Sequence, residues 1–320
     1  MQYITLGGTG LTVSRLCIGS LTVSPVQANL PPERAAEVLA YAFSKGIRFT
    51  DTAQYYENYP LIRRALELYG GDDVVISTKT YAYTREMAIE AVEQARRELN
   101  RDVIDIFMLH EQESYETLRG HREALEYLFE CKARGIIRAV GASMHHIAAV
   151  RGVIELHRRG IPLDVIHPIF NRSGYGIADG TIAQMQAAVA DAYALGIGTF
   201  AMKVLGGGHL FRDAAAAFDF ALDQPYIDAV AVGMQSEEEI DANIAYFDSR
   251  SFPLEADAVL RKKTRHLHIE DYCEGCGACV RRCAQGALAV TDGHAVVSAE
   301  KCVLCGYCSR VCPLFAIKVL

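Results

Sequence analysis

Eight of the ten cysteines lie within residues 270–320, in two copies of one spacing: Cys273-x2-Cys276-x2-Cys279-x3-Cys283 and Cys302-x2-Cys305-x2-Cys308-x3-Cys312-Pro313. A tight C-x2-C-x2-C turn sets three thiolates around one face of a cubane. The fourth cysteine, a helical turn further on, points toward a second site and ligates the other cluster. The spacing therefore assigns Cys273, Cys276, Cys279 and Cys312 to one 4Fe–4S cluster, and Cys302, Cys305, Cys308 and Cys283 to another. Disulfides fit poorly, because no export signal accompanies the cysteines. A zinc ribbon separates its C-x2-C pairs instead of chaining three cysteines at this interval. Cys17 and Cys131 stand alone in apolar surroundings and read as small buried hydrophobes.

A second set of chemically capable residues precedes the cysteines: Asp51-Thr52-Ala53-Gln54-Tyr55-Tyr56, then Lys79, then His110. A tyrosine hydroxyl beside a lysine ammonium has its pKa lowered, and an aspartate keeps that lysine charged and oriented. A histidine nearby can hold a substrate oxygen and assist proton transfer. Together the four form a proton donor and oxyanion holder for a carbonyl or hydroxyl group.

The elements that must bring these residues together are short β-branched or apolar runs alternating with amphipathic segments. The strands are expected at Leu16–Ser20, Ile47–Thr50, Val74–Ser77, Ile104–Leu109, Ile137–Gly141, Val165–Ile169, Gly198–Met202 and Ala229–Gly233. The helices are expected near Pro32–Ser44, Pro60–Tyr69, Arg85–Leu99, Tyr115–Arg134, His146–Arg159, Thr181–Leu195, Ala214–Leu222 and Glu237–Phe247. Eight βα units in about 230 residues predict an α/β fold, a (β/α)8 TIM barrel. A doubly wound open sheet is the alternative, but no G-x-G-x-x-G follows the first strand. Residues 2–6 and 11–13, joined by Gly7-Gly8-Thr9-Gly10, predict a hairpin closing the bottom of the barrel. In such barrels the chemistry sits at the C-terminal ends of the strands, where Asp51, Tyr56, Lys79 and His110 fall. The division expected is a barrel over 1–250, a polar, partly helical linker over 251–269, and a ferredoxin-like α+β dicluster domain over 270–320. The Arg261-Lys262-Lys263 run in the linker reads as a solvated helix face.

Residues 1–250 resemble the aldo/keto reductases, on LGGTGLTVSRLCIGS, DTAQYY and the strand ends bearing Lys79 and His110. The C-terminal segment is similar to bacterial dicluster ferredoxins. The pair is similar to the ferredoxin-fused branch of that superfamily, which GASMHH, AMKVLGGG and AVGMQSEEEIDANI also resemble. The resemblance implies a catalytic tetrad of Asp51, Tyr56, Lys79 and His110, with Tyr56 as proton donor. Tyr55 is the adjacent alternative, and strand parity reads it as packing against the next helix. The resemblance also implies nicotinamide contacts at Ser143, His167 and Met202, yet each departs from the family pattern: Ser143 is followed by Met144 and not Asn, His167 stands where a Gln usually lies, and Met202 replaces a stacking aromatic. Where the family places basic residues for a 2′-phosphate, this chain has Gly233-Met234-Gln235 and Glu237-Glu238-Glu239. Acids repel a phosphate, so NADPH is disfavoured and NAD(H), or no nicotinamide at all, is expected. Gly206 and Gly207, with Gly208, form a candidate phosphate loop. No flavin motif is present, although a flavin would couple a hydride donor to one-electron clusters.

The leading expectation is an iron–sulfur oxidoreductase that couples cluster electrons to Tyr56/His110 acid–base chemistry on a carbonyl or hydroxyl group. An NADH-dependent carbonyl reductase, a non-redox lyase or isomerase, and an electron-transfer subunit are the alternatives. A rim of Tyr81, Tyr83, His145, His146, His167, Asn171, Arg172 and Lys203 predicts a small polar, hydroxylated or anionic substrate. A redox partner protein follows from the clusters. The formal charge of −7, without a basic run, gives no support to nucleic-acid binding. No run of about 18 apolar residues predicts a membrane span, and with no secretory signal the expected location is cytoplasmic. Five acids balance five bases in 270–320, which suits a module that works mainly with its own chain.

Overall fold

The computed structural model describes residues 1–255 and 263–320. Eight parallel strands close into a barrel: β3 (Leu16–Gly19), β4 (Phe49–Asp51), β5 (Val75–Thr80), β6 (Ile104–Gln112), β7 (Ile137–Met144), β8 (Val165–Pro168), β9 (Gly198–Ala201) and β10 (Ala229–Gly233), with β10 pairing back onto β3. The strands are buried along most of their length, as parallel strands covered on both faces must be, with polar residues gathered toward the C-terminal ends of β4, β5 and β6. The helices lie outside, and local chemistry explains their bounds. Pro32 opens α1 (Pro32–Ser44), where its missing N–H costs nothing. Thr84 caps α3 (Arg85–Leu99) by accepting from the Met87 N–H. Gly70 ends α2 (Tyr59–Tyr69) at φ 74°, its N–H bonded to the Leu66 carbonyl. The single helix expected over 115–134 is two helices, α4 (Tyr115–Gly120) and α5 (Arg122–Ala133). Gly120 is a poor helix former, and the Nδ1–H of His121 bonds the Thr117 carbonyl at 2.7 Å, which turns the chain there. The remaining helices are α6 (Ile147–Arg158), α7 (Ile182–Tyr193), α8 (Ala214–Leu222) and α9 (Glu237–Ser249).

The hairpin of β1 (Tyr3–Thr5) and β2 (Thr12–Ser14) closes the lower end. Leu6, Leu11 and Val13 pack there with Cys17, Phe49, Val75 and Phe200 in a core inside the barrel. A larger core fills the space between strands and helices and includes Cys131; both lone cysteines are fully buried.

The cysteine-bearing segment lies over the opposite, upper end. It consists of β11 (Leu267–Ile269) paired antiparallel with the last strand, a hairpin of β12 (Leu288–Thr291) and β13 (His294–Val297), and two short helices, α10 (Ala278–Arg282) and α11 (Tyr307–Arg310); β14 (Ile317–Val319) closes the chain. Residues 267–269, read from sequence as linker, are thus a strand, because their backbone groups have a partner only once the C-terminus folds back. Of the basic run, Arg261 and Lys262 lie outside the described residues. Lys263 is not on a solvated helix face: its ammonium pairs with Glu239 at 2.5 Å.

The module is joined to the barrel by backbone and side chain alike. The Val319 N–H donates to the Gly207 carbonyl at 2.9 Å, and the His209 Nε2–H donates to the Ile317 carbonyl at 2.9 Å. Gly208 is at φ 85°, and a Cβ there would stand 2.0 Å from the Val319 carbonyl oxygen, so only glycine lets β14 approach. Phe315, buried and itself at φ 50°, fills the space over Gly176.

Candidate functional site

At the upper barrel end, Asp51 terminates β4, Lys79 lies within β5 and His110 within β6. Tyr56 closes a short turn, Gln54–Tyr56, that is held from two sides. The Thr52 hydroxyl donates to Asn58 Oδ1 at 2.6 Å, and the Thr80 hydroxyl donates to Gln54 Oε1 at 2.6 Å. The register of β6 against β7 shifts between Leu109 and Gln112, with Glu111 at φ 49°. Such bulges re-aim side chains. Here the shift turns Glu111 outward and keeps His110 buried.

Lys79 is 1% exposed and donates to both Asp51 oxygens, at 2.9 and 2.8 Å, and to the Thr52 carbonyl at 2.6 Å. All three of its donors are thereby used. Its ammonium is 5.1 Å from the Tyr56 ring centroid. Burial by itself would raise the Asp51 carboxyl, but Lys79 and His167 together hold it well below the usual carboxylate range. Tyr56 departs from expectation. Burial first, then Asp51 and Glu111, push its phenol well above its ordinary value. The lowering expected from Lys79 fails because that ammonium is already neutralised by Asp51 and directs its protons away from the phenol. Tyr56 accordingly stays protonated. His110 is pushed down to about 3 by burial and then by Lys79, so it is a neutral imidazole. Its ring stacks on Tyr81 at 4.4 Å and meets Tyr56 edge-on at 5.8 Å, and its buried Nδ1 has no hydrogen-bond partner among the described residues. Tyr55 does not pack against a helix: it is 52% exposed, with its ring edge-on to Tyr81 at 6.2 Å.

Two adjoining cavities open at this end. The larger, about 880 Å³, has Tyr56, Lys79 and His110 on its barrel side, with Tyr81, His145 and His146. Its other side comes from the cysteine-bearing module: Glu270, Asp271 and Tyr272, which precede Cys273, and Pro313, Leu314 and Phe315, which follow Cys312. The smaller, about 240 Å³, is lined by His167, Met202, Gly207, Gly233, Gln235 and Glu239 from the barrel, and by Lys263, Arg265, Val319 and Leu320. Leu21, Tyr56, Met202, Lys203 and Lys318 border both.

Several sequence-selected residues lie elsewhere. Ser143 lines neither cavity; its oxygen accepts the Glu111 N–H at 2.9 Å and so fastens the bulge. Gly206 lines neither cavity, and Gly207 is bonded to β14. Asn171 is buried and spends its amide on the Tyr175 backbone, Arg172 pairs with Asp213, and Tyr83 lies outside both cavities. His167 Nδ1–H donates to the Phe200 carbonyl at 2.7 Å, with Nε2 3.6 Å from Asp51. Of the three acids opening α9, Glu237 pairs with Arg34 and Glu239 with Lys263. The residues missed by sequence reasoning are those the module contributes, above all Tyr272, Phe315 and Lys318. Their only signal is position, within a few residues of Cys273 or Cys312.

The cysteines fit the clusters their spacing implies. Cys283, Cys302, Cys305 and Cys308 border one small cavity. Burial, then Cys305 and Cys302, push the Cys308 thiol up to about 12, whereas Cys279 is raised by burial and then by Cys312 and Cys273. The two groupings cross between the motifs. Backbone N–H groups of Ala287 and Ala316 donate to Cys283 and Cys312 Sγ, each at 3.3 Å, the kind of bond that tunes a cluster's thiolates. The smaller cavity by itself is tight for a nicotinamide dinucleotide. Ligand sites commonly span ~300–1,000 Å³, and this chamber is about 240 Å³ with β14 as its outer wall.

The aldo/keto reductase family profile matches residues 15–215. The chain belongs to the aldo/keto reductase family. A 4Fe-4S dicluster domain matches residues 261–316, so this aldo/keto reductase carries an iron–sulfur domain at its C-terminal side. Aldo-keto reductase YhdN of Bacillus subtilis is 26% identical over 186 residues, 53% of this chain and 54% of that protein. The chain spans about half the length of the curated aldo/keto reductases it matches first. One subunit of the ion-translocating oxidoreductase complex of Methanosarcina acetivorans is 43% identical over 47 residues, 15% of this chain and 18% of that one. Among solved structures, aldo-keto reductase AKR11C1 from Bacillus halodurans superposes with a TM-score of 0.64 at 19% identity, covering 82% of this chain and 96% of that one, a likeness of fold. Among the described residues no helix is long and apolar enough to cross a membrane.

Proposed function

We propose that this aldo/keto reductase is an oxidoreductase that reduces or oxidises a small polar substrate, with electrons passing through its own 4Fe–4S domain and not through a nicotinamide. The observation that carries this reading is the shared cavity. Tyr56, Lys79 and His110 face it from the barrel, and the residues flanking Cys273 and Cys312 face it from the module. Cys273, Cys276, Cys279 and Cys312 would hold the cluster nearer the substrate; Cys302, Cys305, Cys308 and Cys283 would hold the outer one. When bound, the clusters supply electrons singly, which hydride carriers do not.

The chain's own residues manage oxygen and protons. Neutral His110 and protonated Tyr56 hold the substrate oxygen, and Tyr56 delivers its proton there. Asp51 fixes Lys79 against the Tyr56 ring and so holds the phenol in place toward the cavity. Converting C=O to CH–OH takes two electrons and two protons. The electrons come from an external one-electron donor, one proton from Tyr56 goes to oxygen, and one from solvent goes to carbon. An NADH-dependent carbonyl reductase would need β14 to leave the smaller cavity.

The test is an anaerobic titration of the reconstituted protein with NADH, NADPH and dithionite, after checking for flavin, followed by viologen-linked turnover of a panel of aldehydes, ketones and 2-oxo acids. Dithionite should bleach the clusters and neither nicotinamide should. Tyr56→Phe should abolish turnover while leaving bleaching intact. Bleaching by NADH, or unchanged turnover in Tyr56→Phe, would overturn the reading.

A further inference from the structure

Lys203 and Lys318 border both cavities, at the neck between them, one from the barrel and one from the module. Lys318 is 3% exposed. Its Nζ donates to the Phe315 carbonyl and stands 3.6 Å from the Phe315 ring centroid. Lys203 Nζ lies 5.4 Å from the same centroid and donates to His145 Nε2 at 2.8 Å. One aromatic ring thus carries two ammonium groups.

Neither lysine has a carboxylate within ion-pair distance among the described residues. Glu111 and Glu270 line the same cavity and act on both ammonium groups at longer range, each with a nearer partner of its own. Glu111 accepts from the Tyr81 hydroxyl at 2.6 Å and approaches His145 at 3.9 Å. Glu270 accepts from Gln27 at 3.0 Å and lies 3.5 Å from His268. A buried and a half-buried ammonium sharing one wall without a directly bonded carboxylate are costly, and desolvation lowers both from their ordinary values. Lys79, by contrast, has Asp51. Two lysines without a direct ion pair at the edge of a cavity of about 880 Å³ leave ammonium donors for an anion that arrives from outside.

Resting on the function proposed above, we infer that Lys203 and Lys318 bind the carboxylate of the substrate, which is therefore a small oxo or hydroxy carboxylic acid whose reacting oxygen faces Tyr56 and His110. His145, as acceptor, fixes the Lys203 side chain, and Phe315 holds the two ammonium groups on one wall. The site exists only where barrel and module meet, since each supplies one lysine.

The experiment uses the full chain with reconstituted clusters. Calorimetry measures binding of formate, pyruvate and malonate, of the uncharged analogue pyruvamide, and of inorganic phosphate. At least one carboxylate should bind, with pyruvamide at least about tenfold weaker than pyruvate. Lys203→Met and Lys318→Met should each weaken carboxylate binding about tenfold or more and leave pyruvamide unchanged. Methionine keeps the length and apolar packing of the lysine stem, and unaltered cluster absorbance checks folding. The inference is overturned if no carboxylate binds, if pyruvate and pyruvamide bind alike, or if phosphate binds more tightly than any carboxylate. It is also overturned if the methionine variants shift the cluster midpoint potential but keep full carboxylate affinity, because the lysines would then serve the clusters. Tyr56→Phe separates the two readings. Carboxylate binding retained with unchanged turnover sinks the proposed function and spares the anion site; lost turnover with lysine-independent binding does the reverse.

Discussion

Lys79 directs all three of its donors at Asp51 and the Thr52 carbonyl, and that economy explains why Tyr56 keeps its proton. The buried pair gives orientation more than stability, since the attraction largely offsets the desolvation of both charges. Removing one partner is different, because it strands a buried charge. Lys79→Met should cost roughly 3–5 kcal/mol, and Lys79→Met with Asp51→Asn should cost distinctly less than the sum of the two single changes. Denaturant unfolding of the four proteins measures this, and additive losses would show that the two side chains do not interact as described. His110 adds a pH dependence of its own. With its folded value near 3 and an ordinary value of 6.5, it takes up no proton over the physiological range. Its contribution to stability is present above pH 6.5 and is lost as pH falls toward 3.

Among the elements, β14 decides most. It pairs with β11, donates the Val319 N–H to the Gly207 carbonyl and walls the smaller cavity. Gly208 is the position that permits this, combining φ 85° with a carbonyl 2.0 Å from where a Cβ would sit. Gly208→Ala should therefore push β14 off the loop while the barrel stays folded. Hydrogen exchange should show the Val319 amide losing protection by about tenfold or more, with the β5 and β6 amides unchanged. Equal protection of Val319 in both proteins would mean that the loop accommodates the methyl group. The same variant, with the chamber opened, is where weak NADH binding should first become measurable.

At the scale of the whole molecule, two units share one cavity, and Phe315 is the module residue that joins the barrel's larger core. It lies over Gly176 and carries the ammonium groups of Lys203 and Lys318 on its ring. Phe315→Ala should remove roughly 3–5 kcal/mol of packing from the contact between the units and little from either interior. The expected result is faster hydrogen exchange at the Val319 amide, which bonds the Gly207 carbonyl, with barrel helicity retained. Unaltered exchange there would show that the ring is not what seats the module. The near balance of charge in 270–320 agrees with this arrangement, since the face meeting the barrel gains little from a strong net charge of its own.

How much of this was legible beforehand follows from the range of each interaction. Helix α1 begins and ends at the residues read from sequence, because Pro32 and the apolar spacing act within a few residues. The barrel was legible for the same reason: eight buried apolar runs each followed by an amphipathic helix admit few closed arrangements. The two cysteine motifs carry their chemistry in their spacing alone. Tyr56 was located correctly beside Lys79, but the direction of its pKa was not, since that depends on where the ammonium points and how deeply the phenol is buried. Gly206–Gly208 read as a phosphate loop because glycines free the backbone for any close approach. What approaches is a strand from the other end of the chain. The sequence by itself determined the repertoire, namely a barrel with Asp51, Tyr56, Lys79 and His110 at its strand ends and eight cysteines in two motifs. Only the tertiary structure decided that Lys318 and Lys203 come together on one ring, that Tyr272 and Phe315 line the larger cavity, and that β14 lines the smaller one. Contacts between residues more than a hundred positions apart leave no local periodicity to read; they arise only when the module folds down and the two surfaces exclude water together.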